Sequence, residues 1–417
     1  MNKKQQNALI FMCWLIYVVS YLGRYSYNSN VVPMAEFFGK SNTEIGWAMT
    51  LFFFAYGAGQ IINGLLCKFY NLRYILSGSL IISAILNASI FFGLPFELIK
   101  YVWLLNGATL SVLWTSLLMT TAKNLDEKHV KTSILALGTT VSIGTFLSYG
   151  LSALLALFGG WKLSFLISAI AMATVGVVWF LVYGKITLKQ ENVVEEDGKG
   201  EQVKEIKPKQ KGTLGATIIY TFLLFGFLAI ITNLVKDGLT SWVPKILKDN
   251  YNLADSLSII LTLILPVLAI FGNILAVTLV KKLKDHTTTG AVIFILVTAF
   301  ALAVTLFLKT PYWWAVLLAF GFLSLFSSSS NSLITSVIPM QLRDKANSGF
   351  IGGILNGCCY LGSTISSVGL GAIADAYGSW SPVFVLLLIL GGSAAVISTV
   401  CAIVIKIRNK KSLNKSA

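Results

Sequence analysis

Twelve apolar segments, each long enough to cross a lipid bilayer as a helix, fill most of this 417-residue chain. A helix needs about 20 apolar residues to span the hydrocarbon core. The segments lie at 8–33, 43–66, 73–94, 98–122, 131–157, 161–184, 214–243, 255–280, 287–308, 312–338, 346–373 and 380–405. Only 12% of the residues are charged, about half of the roughly 25% found in soluble domains. The pattern predicts an all-α membrane protein with twelve transmembrane helices, and it excludes a soluble enzyme or a disordered chain.

The positive charges of the chain are distributed unevenly among the connecting segments. The net charge is +15, which on its own would also suit a protein that binds nucleic acid. If the N-terminus lies in the cytoplasm, the cytoplasmic segments hold 24 Lys and Arg residues and the external segments hold six. Membrane proteins carry this kind of excess on their cytoplasmic side. We therefore interpret the charge as a topology signal and expect no nucleic-acid partner. The sequence predicts a multi-pass protein of the cell membrane with both termini in the cytoplasm.

One long hydrophilic stretch divides the twelve segments into two groups of six. It covers residues 185–213, has mixed charge and lacks apolar periodicity, which is typical of a flexible linker. The sequence thus predicts an N-terminal six-helix bundle at 1–184, a cytoplasmic linker at 185–213 and a C-terminal six-helix bundle at 214–417.

The two groups of six segments resemble each other. The stretch FGGWKLSFLIS at 158–168 matches YGSWSPVFVLL at 377–387, and SYLGRYSYNSNVVPM at 20–34 matches NLVKDGLTSWVPKI at 233–246. Two parallel six-helix units related by a pseudo-twofold axis along the membrane normal are typical of major facilitator transporters. In that architecture the substrate binds near the midplane, between the units.

A cation inside the first segment is the strongest functional signal in the sequence. Arg24 lies well inside an apolar stretch, where a charged side chain costs about 2.5–3.5 kcal/mol on insertion scales. Tyr17, Tyr21, Arg24 and Asn28 follow one another at helical spacing, so we expect them to share one helix face. Such a polar face predicts contact with a wet cavity or with an anion.

Lys236 occupies the position in the second group that corresponds to Arg24. It belongs to a similar polar stripe with Asn233 and Thr240. Two cations that converge near the axis predict an anion between them, although Lys236 could instead extend towards the external interface. Asp237 is the one acidic residue that we place inside a segment, as a partner of another helix or as a proton carrier. Adjacent helical residues diverge by about 100°, so we expect Asp237 not to neutralise Lys236.

Further polar residues lie where helices should line a cavity. Gln60, Asn331 and Tyr360 are candidates for substrate binding; helix packing is the default explanation for each one alone, and together they indicate a hydrophilic path. The sequence lacks the patterns typical of a phosphate loop, a zinc site or a catalytic nucleophile. We therefore expect neither an enzyme nor a bound cofactor or metal.

Four stretches resemble the organophosphate:phosphate antiporter family of the major facilitator proteins, which includes glycerol-3-phosphate and hexose-phosphate transporters. They are YLGRYSYNSNVVP, YGAGQIINGLLCKFYNLR, KDGLTSWVPKIL and CYLGSTISSVGLGAIADAYGSW. The resemblance covers nearly the whole chain. It implies a small organophosphate substrate that is exchanged for inorganic phosphate by alternating access, in a protein that works as a monomer.

The resemblance also implies roles for individual residues. In that family two arginines hold the phosphate; Arg24 matches the first, and Lys236 stands at the second, where a lysine cannot bind bidentately. The family's basic residue on the second helix falls at Gln60, and the histidine that some members carry on the fifth helix falls near Val141. Fewer cations favour a less charged anion, such as a carboxylate or a monoanionic phosphoester.

Two other functions are compatible with the sequence. One is a sugar-phosphate sensor of the same fold that binds its ligand without transport, since relatives of this family include such receptors. The other is a major facilitator carrier for a carboxylate or another solute. An exporter of amphipathic compounds should have acidic residues in an apolar cavity. This sequence instead places two cations, Arg24 and Lys236, inside its apolar segments, which disfavours an exporter.

Overall fold

The computed structural model describes residues 1, 3–158, 160–197, 216–341 and 348–416. Within these ranges the regular structure is helical, without a β-strand, and twelve elements are long and apolar enough to cross a membrane. The predicted fold class is therefore confirmed. Large apolar side chains remain exposed along the spans, as Phe54, Ile85 and Ile389 do, because in a membrane protein this surface faces lipid.

The twelve elements are named spans 1 to 12, and several consist of more than one helix. Span 1 comprises Lys3–Tyr25, Asn28–Asn30 and Val31–Phe38; span 2 Asn42–Leu66 and Cys67–Phe69; span 3 Leu72–Phe91; span 4 Phe96–Leu110 and Leu113–Asn124; span 5 Glu127–Ala156; span 6 Trp161–Asp197; span 7 Ala216–Tyr251; span 8 Asp255–Leu261 and Ile264–Leu283; span 9 His286–Phe307; span 10 Trp313–Ser332, Leu333–Val337 and Ile338–Gln341; span 11 Ser348–Tyr377; and span 12 Ser381–Ser416.

Each predicted segment falls on one span, and the ends differ by at most five residues except at the C-termini of spans 6, 7 and 12, whose helices run on further. The largest difference is at span 6, whose helix runs on to Asp197 and so includes the first residues of the predicted linker. The remainder of that linker, 198–213, lies outside the described residues. The division into two bundles and a linker stays a prediction, and we call spans 1–6 the first half and spans 7–12 the second half.

The same pairs of spans pack in each half. In the first half span 1 packs on span 5, span 2 on span 4 and span 3 on span 6. The second half repeats these pairs as spans 7 and 11, 8 and 10, and 9 and 12. This packing agrees with the internal sequence repeat.

Span 1 is interrupted directly after Arg24. Its first helix ends at Tyr25, and a short 3-10 helix, Asn28–Asn30, leads into the second helix. Side chains bind the carbonyl groups near the break: Ser29 Oγ donates to the Tyr25 carbonyl (2.8 Å) and Asn30 Nδ2 to the Ser26 carbonyl (2.7 Å). These bonds satisfy polar backbone groups that would otherwise lack a partner, because the bilayer core contains no water.

Spans 2 and 11 pack closely across the two halves. A Cβ atom at Gly46 would lie 2.7 Å from the Ser367 carbonyl oxygen, and one at Gly371 would lie 2.9 Å from the Asn42 carbonyl oxygen. Only glycine allows the two backbones to approach this closely.

The halves are joined at the end of the molecule that carries the loop between spans 1 and 2, the predicted external end. Asp375 of span 11 accepts hydrogen bonds from the backbone N–H and the side chain of both Asn42 and Thr43, at the N-terminus of span 2. Asn28 Nδ2 donates to Ser241 Oγ at 2.7 Å. We call this set of contacts the closed end.

An ion pair reinforces the closed end, and other contacts between the halves continue along spans 2 and 11. Lys248 of span 7 forms an ion pair with Glu36 of span 1. Towards the opposite, predicted cytoplasmic end, the described residues join the halves by a hydrogen bond from Asn356 Nδ2 to Gln60 Oε1 (3.1 Å). Among the described residues, hydrogen bonds and ion pairs between the halves are thus more numerous at the closed end than at the other.

Candidate substrate-binding site

Arg24 lies between the two halves inside a cage of aromatic rings. Its guanidinium carbon is 4.7–5.5 Å from the centres of six rings. They belong to Tyr21, Tyr25, Phe52, Phe53, Tyr56 and Tyr360. Spans 1, 2 and 11 supply these rings, so both halves build the cage. We call this group the aromatic cage.

The guanidinium of Arg24 is buried without an anionic partner. The residue is 5% exposed, its Nη1 donates to the Tyr21 hydroxyl at 3.4 Å, and its Nε has no hydrogen-bond partner. Among the described residues no carboxylate lies within ion-pair distance of it. A cation–π contact contributes about 0.5–2 kcal/mol, whereas burial of an unpaired charge costs several kcal/mol. The rings offset part of this cost, and a bound anion would offset the rest.

Two of the predicted tyrosines reach the same region. Tyr21 is part of the aromatic cage, and the Tyr17 hydroxyl lies 3.3 Å from the Tyr56 hydroxyl. The Tyr17 ring also packs against Trp114 at 5.1 Å between centroids. Tyr360, another predicted site residue, packs on Tyr56 at 4.8 Å.

Asn28 lies outside the helix that carries Arg24, so the two residues are not on one continuous helix as the spacing assumed. The spacing of four residues would place both side chains on one face of a continuous helix, but the first helix of span 1 ends at Tyr25. Asn28 lies in the following 3-10 helix and binds Ser241 at the closed end. Its contact links the halves rather than lining the aromatic cage.

Lys236 and Asp237 form an ion pair, which corrects the expectation that they would not neutralise each other. Lys236 Nζ lies 3.1 Å from Asp237 Oδ1. The Cα–Cβ bonds of neighbouring helical residues do diverge, but the four-carbon stem of a lysine is long enough to bring its ammonium back to the adjacent carboxylate. Asp237 is 2% exposed, and its other carboxylate oxygen accepts a hydrogen bond from Ser363 Oγ of span 11. Lys236 therefore does not extend to the external interface.

The other polar residues predicted in the second half join this ion pair through Ser363. Asn331 Nδ2 donates to Asn233 Oδ1 at 2.8 Å, and Asn233 Nδ2 lies 3.4 Å from Ser363 Oγ. Gln60, by contrast, binds Asn356 rather than either cation. A hydrogen-bonded network of spans 7, 10 and 11 thus holds Asp237 in place.

A small cavity lies beside Lys236 and is bordered by five spans. Its lining is Tyr25 of span 1, Val141, Ser142 and Thr145 of span 5, Lys236 and Thr240 of span 7, Pro266 and Ala269 of span 8, and Ser324 and Ser328 of span 10. Tyr25 also belongs to the aromatic cage, so the cavity and the cage are neighbours. The two predicted cations therefore converge on one region between the halves.

Sequence reasoning missed several residues of this region. Phe52 and Phe53 belong to the apolar run LFFFA and look like lipid-facing residues, since nothing in the sequence marks which face of span 2 turns inward. Tyr25 and Ser363 could have been found from the sequence. Tyr25 is adjacent to Arg24, and Ser363 lies one turn after Cys359 in the serine-rich stretch of span 11.

Comparison with known proteins gives one family and several structural relatives. The sequence pattern of the Major Facilitator Superfamily matches residues 13–367. The Membrane sensor protein UhpC of Escherichia coli (strain K12) is 28% identical over 102 residues, which cover 24% of this chain and 23% of that protein. The matched stretch thus spans less than a quarter of the relative's length.

Solved structures of two other proteins share the fold at low sequence identity. A bacterial homolog of the human lysosomal transporter Spinster, in an inward-facing and unoccupied conformation, superposes with a TM-score of 0.76 at 14% identity over 95% of this chain and 97% of that chain. The D-xylose-proton symporter superposes with a TM-score of 0.73 at 14% identity over 93% and 96%.

Proposed function

The chain belongs to the Major Facilitator Superfamily, and from this premise we propose that it transports a small organic anion by alternating access. The observation that carries the proposal is Arg24, a buried cation between the halves without an anionic partner. The substrate that we propose is an organophosphate, exchanged for inorganic phosphate. This choice is supported by the resemblance of the motifs around Arg24 and Lys236 to the organophosphate:phosphate antiporters and by the partial match to a membrane sensor protein.

In this mechanism the substrate enters from the predicted cytoplasmic side, because the hydrogen bonds and ion pairs between the halves are more numerous at the opposite, closed end. The anion binds the guanidinium of Arg24, whose planar fork of donors suits phosphate or carboxylate oxygens. Tyr360 of the second half lies against the same guanidinium. An anion at Arg24 would thus contact both halves. It can favour the state in which the halves close around it, because a ligand shifts a conformational equilibrium towards the state that it binds more tightly.

Exchange in proteoliposomes tests this proposal. Vesicles are loaded with phosphate, and uptake of labelled phosphate is measured in competition with glycerol-3-phosphate, hexose-6-phosphates and carboxylates. We expect exchange that one organophosphate inhibits and that Arg24→Ala abolishes. The matched control is Lys245→Ala, which removes a cation that pairs with Asp249 outside the aromatic cage and should keep exchange. Exchange by Arg24→Ala at the rate of the unmodified protein would contradict the site.

A second candidate is a sensor that binds the anion without transport. It is favoured by the match to the Membrane sensor protein UhpC. Thermal stabilisation of the purified protein by an organophosphate, without any exchange in the same preparation, would identify a sensor. The carboxylate carrier is distinguished by inhibition with carboxylates in place of organophosphates.

A further inference from the structure

The charge balance of the candidate site is set by three side chains. Among the described residues, Arg24, Lys236 and Asp237 are the charged groups at the aromatic cage and the adjoining cavity. Two are cationic and one is anionic. With all three ionised, the site carries one net positive charge.

The positions of the three groups assign that net charge to Arg24. Asp237 lies 3.1 Å from Lys236 and cancels its charge locally, while Arg24 has no carboxylate within ion-pair distance among the described residues. The ion pair is also fixed in position, because Asp237 is 2% exposed and Ser363 donates to its second oxygen. Asp237 therefore reduces the positive charge that Lys236 presents to an anion.

We propose that Asp237 is a specificity-determining residue that restricts the substrate to anions with a single negative charge. The inference rests on the proposed function and deepens it. A monoanion at Arg24 brings the site to neutrality. A dianion would leave one excess negative charge in a poorly solvated region that also contains the Asp237 carboxylate, and like charges repel more strongly there than in water. The favoured chemical class comprises carboxylates, phosphodiesters and singly protonated phosphomonoesters.

Substitution of the pair gives a graded test, because the side chains can be neutralised one at a time. Asp237→Asn keeps the shape of the side chain and its acceptor for Ser363, and it raises the net charge of the site from one to two. Lys236→Met combined with Asp237→Asn removes both charges and returns the net charge to one. Asp249→Asn removes a carboxylate that pairs with Lys245 and Trp380 outside the site and is the control.

The assay is direct anion binding to purified protein at pH 8, with ligands of fixed charge and matched shape. Methyl sulfate and dimethyl phosphate are monoanions, and sulfate is a dianion of the same tetrahedral geometry. We expect the unmodified protein and Asp249→Asn to bind the monoanions at least tenfold more tightly than sulfate. Asp237→Asn should reverse that preference, and the double variant should restore it.

The outcomes separate this inference from the proposed function. If the unmodified protein prefers sulfate, or if Asp237→Asn leaves the preference unchanged, Asp237 does not select charge, and anion transport still stands. If the double variant keeps the reversed preference, the effect is one of shape and the charge argument is overturned. If the folded, unmodified protein binds none of these anions, this inference fails; the proposed function fails with it only if phosphate exchange in proteoliposomes is also absent.

Discussion

Removal of the Asp375 carboxylate should open the closed end. Asp375 accepts four hydrogen bonds from span 2: from Asn42 N (3.2 Å), Asn42 Nδ2 (2.8 Å), Thr43 N (2.7 Å) and Thr43 Oγ1 (2.6 Å). The carboxylate thus caps a helix that belongs to the other half. The bonds exist only while the two halves are in contact at this end, so their loss acts directly on the equilibrium between closed and open.

The size of the effect follows from the type of contact. Loss of a capping side chain costs about 0.5–2 kcal/mol, and the interaction of a carboxylate with a helix N-terminus contributes about 0.3–1 kcal/mol. Asp375 is exposed, and solvent screening reduces such terms. We expect Asp375→Ala to destabilise the closed end by about 1–2 kcal/mol, which raises the ratio of open to closed molecules roughly 5–30-fold.

Spin-label distance measurements provide the assay and do not depend on membrane orientation. Labels at Phe37 and Tyr377, both exposed near the closed end and on opposite halves, are introduced after replacement of the native cysteines. Asp375→Ala should increase the population at longer distance. The matched control is Asp249→Ala, whose partners Lys245 and Trp380 lie in its own half, and it should leave the distribution unchanged. Equal distributions for Asp375→Ala and the unmodified protein would refute the argument.

Two further predictions concern packing and pH. Gly46→Ala should also weaken the closed end, by about 1–3 kcal/mol, because its Cβ would lie 2.7 Å from the Ser367 carbonyl oxygen. Gly64→Ala of the same span is the control and should be neutral, because a Cβ there would have no atom within 4 Å. Equal spin-label distance distributions for the two variants would contradict this reasoning. Hydrogen bonds from the backbone N–H and the ring of His129 lower the pKa of Asp126 to about 2. This folded-state pKa lies below the ordinary value of about 3.9. The contribution of the Asp126 cap to folding stability is therefore present above pH 4 and is lost as the pH falls towards 2. Thermal unfolding of the protein and of Asp126→Asn should therefore differ at pH 5 and converge near pH 2, and a difference that persists at pH 2 would contradict the capping role.

The fold could be predicted from the sequence because it depends on local composition. Twelve apolar runs of sufficient length can satisfy their backbone groups in a membrane only as helices or as a closed barrel, and runs of this length suit helices. Arg24 could be found for a related reason, since a charge inside such a run needs a partner or a cavity.

The side-chain partners could not be predicted, because they depend on tertiary structure. The aromatic cage contains Phe52 and Phe53, which only the packing of span 2 against spans 1 and 11 turns towards Arg24. The ion pair of Lys236 with Asp237 depends on the rotamer of a flexible side chain. The break after Tyr25 places Asn28 outside the helix of Arg24, and a helical spacing rule holds only while the helix continues.

In the transport cycle proposed above, the closed end would also determine how the same anion is bound from each side of the membrane. In that cycle the site is reached from the predicted cytoplasmic side while the closed end stays closed. From the other side, only the fraction of molecules that have opened can bind, and the apparent dissociation constant is the intrinsic one divided by that fraction. A single site therefore has two half-saturation concentrations, the external one higher, and initial rates of uptake and release differ at equal substrate concentrations. Each contact of Asp375 and Lys248 at the closed end increases the difference between the two half-saturation concentrations, although neither residue contacts the substrate.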